Sequence, residues 1–289
     1  MGDMMLKIAH TPDADDAFMF YGMISGSAGI VHVVEDIETL NRKAMRTEYD
    51  VTAISAHAYA FVHEKYRILS AGASVGDGYG PVLVCSSERS SERSSERSSE
   101  RSSAVSAADL EDFESVAIPG RYTTAALLLS LALPDCEVVE MRFERIPNAV
   151  LSGDVDAGVL IHEAQITYER LGLKKVLDFW EWWHSRTKLP LPLGLNVINR
   201  SISEEKQREF LHEMRESVRY AIEHADEALR YAIKYARGAD EDVIRRFVRM
   251  YVNERTYMMD EEVVKALDVL YDMGEEHGLF KKPPLDILF

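Results

Sequence analysis

His162 closes the apolar run Ala157 to Ile161 and is followed by Glu163 and a polar, helix-like pattern, within the stretch Gly153 to Gln165. A short buried strand that stops on an imidazole puts that side chain at the carboxyl end of a strand, where open α/β sheets bind ligands. Imidazole titrates near neutral pH, which suits a general base. The other reading is a histidine that caps the next helix or hydrogen-bonds within the core. The stretch alone leaves both open.

Ser55 and His57 stand at a second junction of this kind, where the strand Tyr49 to Ser55 runs into Ala56 and a helical pattern. His57 by itself reads as a packed helix-face residue. A third group is Gly120-Arg121-Tyr122-Thr123-Thr124, ahead of the apolar helix Ala125 to Leu133. Glycine, arginine and two hydroxyls at a helix N-terminus are the donors that hold a carboxylate or phosphate. An ordinary threonine N-cap accounts for only one of the two threonines. Thr11-Pro12-Asp13-Ala14-Asp15-Asp16 supplies turn and cap chemistry between a strand and a helix start. At least two of its aspartates are expected to be caps or first-turn charges. One, taken here as Asp16, is left to bind a ligand hydroxyl.

The elements that must position these groups alternate. Strands are expected at Met5–His10, Ile30–Val34, Tyr49–Ser55, Ile68–Ala71, Val82–Cys85, Val116–Pro119, Val138–Met141 and Ala157–Ile161, with helices between most of them. Such alternation indicates an α/β fold. Gly72, Gly76, Gly78 and Gly80 crowd one loop, but no Gly-x-Gly-x-x-Gly opens a helix there, so no nucleotide fingerprint is present. From Ser203 onward the pattern is helical almost to the end. Leu177 to Trp183 holds all three tryptophans and leads into Leu189-Pro190-Leu191-Pro192-Leu193-Gly194, an extended segment suited to a crossover between lobes. Ser86 to Ser103 repeats Ser-Ser-Glu-Arg without an apolar face and reads as an exposed insertion. The expected division is 1–85 with 197–289 as a larger α/β lobe with a helical C-terminal part, 86–103 as the insertion, and 104–196 as a smaller α/β lobe.

The 289 residues are 46% hydrophobic and 28% charged, enough for one large or two ordinary cores. The formal charge of −16 disfavours a generic hold on nucleic acid or an anionic membrane, so an anionic ligand needs local donors. Cys85 and Cys136 have no metal-like spacing and are too few for a disulfide framework. No apolar run reaches the roughly 20 residues that span a bilayer. Residues 1–10 lack the apolar core of a signal peptide, and a cytoplasmic protein is expected. The sequence sets no oligomeric state.

Six segments taken in order resemble the menaquinone-biosynthesis family of the futalosine pathway. They are Thr11 to Tyr21, Asp36 to Asn41, Pro119 to Ala125, Ser152 to Gly158, Ile161-His162-Glu163 and Leu189 to Gly194. The last two look more like the 1,4-dihydroxy-6-naphthoate synthase branch than the chorismate-dehydrating one. The first loop reads Thr-Pro-Asp-Ala-Asp-Asp where enzymes of this type often read Ser-Pro-Cys-Pro-Asn-Asp; Asp16 is common to both. The resemblance implies a two-lobed, type II periplasmic-binding-protein-like fold with the ligand cleft between the lobes. It implies a lyase that takes cyclic dehypoxanthine futalosine to 1,4-dihydroxy-6-naphthoate without metal or organic cofactor. It assigns the general base to His162 and pocket positions to Thr123, Thr124, Asn41 and Ser55. Two alternatives remain open: a cytoplasmic solute-binding protein for a small anion, and a chorismate dehydratase of the same pathway.

Overall fold

Short strands of alternating or continuous apolar character assemble into two sheets, and the helices between them cover their faces. The computed structural model describes residues 6–26, 30–87, 113–235 and 240–289. By internal contacts the chain divides into two units. The first holds Met1–Asp77, Tyr122–Thr124 and Leu189–Phe289; the second holds Gly78–Arg121 and Ala125–Lys188.

The first unit opens with β1 (Leu6–His10), α1 (Ala14–Met19), α2 (Tyr21–Gly26), β2 (Ile30–Val34), α3 (Ile37–Met45), β3 (Val51–Ser55), α4 (Ala56–Val62), β4 (Tyr66–Leu69) and β5 (Ser74–Gly76). The second unit carries β6 (Val82–Ser86), β7 (Ser115–Ile118), α5 (Thr124–Ala132), whose first residue is counted with the first unit, β8 (Glu137–Glu140), α6 (Ile146–Ser152), β9 (Ala157–Leu160), α7 (Ala164–Thr167), β10 (Leu173–Asp178) and α8 (Phe179–Thr187). The chain then completes the first unit with β11 (Leu191–Asn199), α9 (Glu204–Glu223), α10 (Ala225–Ala232), α11 (Glu241–Tyr251), α12 (Glu254–Tyr257), α13 (Glu261–Glu276) and β12 (Ile287–Leu288).

The first sheet runs β12-β4-β11-β3-β1-β2, with β5 also on β11. β1 pairs in parallel with β2 and β3, whereas β11 is antiparallel to β3 and β4. β3 is buried along its whole length, as a strand covered on both faces must be. The second sheet runs β10-β6-β9-β7-β8; β9 lies at its centre, parallel to β7 and antiparallel to β6. The core of this unit is Val82, Val84, Ala117, Ile146, Val150, Leu160 and their neighbours.

The Leu189 to Gly194 segment is extended, as expected, and forms the start of β11; its register shifts between Pro192 and Gly194. Proline donates no ladder bond, so it is tolerated at such an irregularity. The strand Leu173–Asp178 and the helix that gathers the tryptophans were not expected from periodicity. β10 is a sheet edge with Lys174 and Lys175 exposed, which hides its apolar face in the sequence. The helix is signalled instead by Asp178, whose carboxylate accepts from the backbone N–H groups of Trp180 (3.1 Å) and Glu181 (3.2 Å). Beyond Ser87, the Ser-Ser-Glu-Arg tract lies outside the described residues. Among the described residues no helix is long and apolar enough to cross a membrane.

Candidate functional site

In each unit three successive strands wind in the same way. From β1 the chain goes to β2 on one side and then to β3 on the other; from β7 it goes to β8 and then to β9. Where the winding reverses, the carboxyl ends of the central and third strands leave a crevice that no crossover helix fills, and ligands of α/β sheets bind there. In the first unit this places the loop Thr11 to Asp16 beside Ser55. In the second it places the segment that follows Ile118 beside His162.

At the end of β3, Ser55 and Asn41 form a reciprocal pair. The Ser55 backbone N–H donates to Asn41 Oδ1 at 2.8 Å, and Asn41 Nδ2 donates to Ser55 Oγ at 3.1 Å. Both residues are buried, Asn41 completely. Because the serine oxygen accepts from the amide, its own hydrogen is left to donate elsewhere. Two residues further on, the His57 backbone N–H donates to Thr124 Oγ1 (3.3 Å), and its Nδ1 meets the Thr123 carbonyl at 3.2 Å. Thr124 Oγ1 in turn donates to the Leu193 carbonyl at 2.7 Å. The Thr124 hydroxyl is therefore committed within the fold. Burial pushes the His57 imidazole down to about 4, so the ring is neutral at physiological pH.

Asp16 sits in the first turn of α1 and accepts twice from Thr11, from its N–H and from its hydroxyl, both at 2.7 Å. It staples the loop that follows β1. Desolvation raises its carboxyl above the ordinary range, while nearby His10 and the two Thr11 hydrogen bonds pull it back down. Asp13 occupies the N-cap of α1 without a side-chain cap bond, and Asp15 shares the first turn with Asp16, where at least two of the three aspartates were expected as caps or first-turn charges.

In the second unit β9 is held against its covering helix by Gly158. A Cβ at Gly158 would lie 2.4 Å from Ile146 Cγ2 and 2.9 Å from Val150 Cγ2, so only glycine lets α6 approach the strand this closely. The strand then turns sharply at His162, whose φ of +54° lies in the left-handed region. The Gln165 N–H closes the turn onto the His162 carbonyl at 3.2 Å. Among the described residues two other non-glycine residues share this conformation, Thr47 and Lys188, and both follow helix ends. There the left-handed residue lets the last carbonyls of the helix find partners. His162 follows a strand and has no helix end to satisfy. The ring meets Phe143 edge-on at 4.7 Å between centroids and is only partly buried.

Of the residues expected to act, Asn41 and Ser55 are joined directly, Thr123 and Thr124 are joined to His57, Asp16 is tied to Thr11, and His162 stands on β9 in the other unit. Arg121, whose charge the sequence left unexplained, pairs with Glu140 at 3.3 Å. Sequence reasoning passed over Glu38, whose buried carboxylate accepts from the Tyr122 N–H at 3.1 Å and pairs with Arg42 at 2.9 Å. Its place in the first turn of a helix was the visible signal, and it suggested only a dipole charge. It also passed over His10, which is buried, stacks on Phe20 at 4.7 Å and lowers the Asp16 carboxyl.

A family model described as menaquinone biosynthesis matches residues 6–276. The 1,4-dihydroxy-6-naphthoate synthase of Thermus thermophilus is 36% identical over 285 residues, which cover 96% of this chain and 97% of that protein. A solved structure from Archaeoglobus fulgidus superposes with a TM-score of 0.85 at 57% identity, covering 95% of this chain and 98% of that one. The alkanesulfonate-binding protein of Xanthomonas axonopodis superposes with a TM-score of 0.71 at 12% identity, covering 100% and 99% of the two chains. At that identity the likeness concerns the fold alone, which is that of the periplasmic binding proteins.

Proposed function

This chain belongs to the menaquinone biosynthesis family and is an enzyme of that pathway, and we propose that it is the carbon–carbon lyase that converts cyclic dehypoxanthine futalosine to 1,4-dihydroxy-6-naphthoate. The synthase name of the Thermus thermophilus relative supports this reading. The observation that carries the role of His162 is its left-handed backbone at the end of a buried central strand.

Breaking the bond between the carbocycle and the sugar-derived part requires a proton to be removed, and the ring gains aromaticity as the bond breaks. One imidazole held in place can do this by accepting the proton as a general base. His162 is that base. The other candidate residues hold the substrate. Ser55 donates its hydroxyl hydrogen to an oxygen, the turn at Thr123 and Thr124 receives a carboxylate or hydroxyl, and Asp16 binds a hydroxyl. With a net charge of −16 the chain offers an anion little general attraction, which makes such local donors necessary. The substrate is a small molecule, the reaction uses no metal or organic cofactor, and the protein belongs in the cytoplasm.

The test is turnover of cyclic dehypoxanthine futalosine by the purified protein and by its His162→Ala variant. Product from the wild type and almost none from the variant is the expected result. An unchanged substrate, or full turnover by the variant, would overturn the reading. Chorismate offered in a parallel reaction separates this activity from the dehydratase branch of the family, and tight binding of a small anion without any turnover would point to a solute-binding protein.

A further inference from the structure

We infer that His57 is a positioning residue for the reaction proposed above: its side chain and backbone together clamp the turn Tyr122–Thr124, and so fix the backbone that leads into α5. The inference rests on that reading for its catalytic consequence, and on the structure for the clamp.

Tyr122–Thr124 is a three-residue excursion. It is counted with the first unit, although Arg121 before it and Ala125 after it belong to the second. Every residue of it is held. The Tyr122 N–H donates to Glu38 at 3.1 Å, and the Tyr122 ring lies against the Arg42 guanidinium (5.4 Å) and Phe61 (5.3 Å). The Thr123 carbonyl meets His57 Nδ1, and the Thr124 hydroxyl lies between the His57 N–H and the Leu193 carbonyl. Two of these anchors come from one residue.

A carbonyl oxygen only accepts, so the hydrogen of the neutral His57 ring is on Nδ1. Protonation would leave that bond in place but would bury a charge, which the site opposes by holding the ring neutral down to about pH 4. The ring cannot swing away. Phe61 and Phe280 each stand 5.4 Å from it, centroid to centroid. Phe280 is itself seated over Gly274 on α13, where a Cβ would come within 2.1 Å of its ring. The helix bearing His57 is fastened behind it by Tyr271, whose hydroxyl donates to the Ala56 carbonyl at 2.8 Å. A histidine present only for bulk would need neither a fixed tautomer nor a partner 66 residues away.

Two substitutions separate clamp from bulk. His57→Asn places an amide N–H close to the position of Nδ1, and His57→Leu keeps the volume without a donor. Losing one such bond is worth on the order of 1 kcal/mol, so KM of His57→Leu for the cyclic substrate should rise about fivefold to tenfold, while kcat changes less than about threefold. His57→Asn should stay within about twofold of the wild type in both, given the restored donor. Independently of turnover, nitrogen NMR of the labelled wild type at neutral pH should show the His57 hydrogen on Nδ1. Amide exchange at Thr124 to Ala126 should quicken in His57→Leu and not in His57→Asn. A hydrogen on Nε2, an unchanged KM in His57→Leu, or equal impairment of the two variants would each overturn the clamp. Should the wild type fail to turn over the cyclic substrate, the lyase reading falls, and the tautomer and exchange measurements still decide the clamp.

Discussion

The carboxyl ends of β3 and β9 occupy equivalent places in two similarly wound sheets, yet they are built in opposite ways. At β3, Ser55 has an ordinary extended backbone (φ −68°, ψ 146°), and its neighbourhood is closed by hydrogen bonds from Asn41, His57, Thr124 and Tyr271. At β9, His162 bends into the left-handed region, and the helix after it is only Ala164–Thr167. A group that holds a ligand must keep its donors fixed, and saturating the surroundings achieves that. In the proposed reaction the end of β9 supplies the proton acceptor, on a backbone whose strain has some cost in stability. The two ends therefore differ in what a mutation should change.

The largest expected effect is at His162. Removing a general base costs on the order of 10²- to 10⁴-fold in rate, so kcat of His162→Ala should fall by that much while its melting temperature stays close to that of the wild type. A variant that loses stability as much as activity would break the contrast with β3.

The next effect belongs to pH. An unfolded histidine titrates near 6.5, whereas burial holds His57 at about 4. Between those values the unfolded chain binds a proton that the folded chain refuses, so the contribution is complete above about pH 6.5 and is lost as pH falls toward 4. Its upper size is about 3 kcal/mol. Denaturant unfolding at pH 7 and pH 4.5 should show a smaller loss for His57→Asn than for the wild type, and equal losses would place the acid sensitivity elsewhere.

Asn41→Leu comes third. It strands the buried Ser55 N–H and should cost roughly 1 to 3 kcal/mol of stability, read by urea unfolding, together with a higher KM. No loss would mean that the pair at β3 is not the holder described.

The smallest effect sharpens the other side. His162→Gly and His162→Ala both lack the imidazole, but glycine accepts the left-handed backbone and alanine does not. The glycine variant should be the more stable of the two by about 1 kcal/mol, the reverse of the usual order. The usual order would show that the turn at His162 carries no strain.

Much of this was legible in the sequence. Strand ends at His10 and Ser55 follow from apolar runs that stop at turn chemistry, the strand expected to end at Ile161 ends one residue earlier, and the helices from Glu204 onward follow from their periodicity. His162, Ser55 and the paired threonines stood out because they are polar or titratable side chains at strand ends and a helix start, where ligands of α/β folds bind. β10 did not stand out, because an edge strand with exposed lysines shows no continuous apolar run.

The sequence by itself determined the elements, because periodicity, caps and turn residues act over a few neighbouring positions. The tertiary structure decided the partnerships. Asn41 reaches Ser55 because α3 packs beside β3, and Leu193 reaches Thr124 because β11 runs antiparallel to β3 with Gly194 opposite Ser55. Such contacts join residues 14 to 69 positions apart, and their register is set by how whole strands pair, which no local pattern encodes. The left-handed turn at His162 is of the same kind. Nothing in Leu160-Ile161-His162-Glu163 requires it, and it arises where a central strand, pinned through Gly158 to α6, must reverse into the next turn.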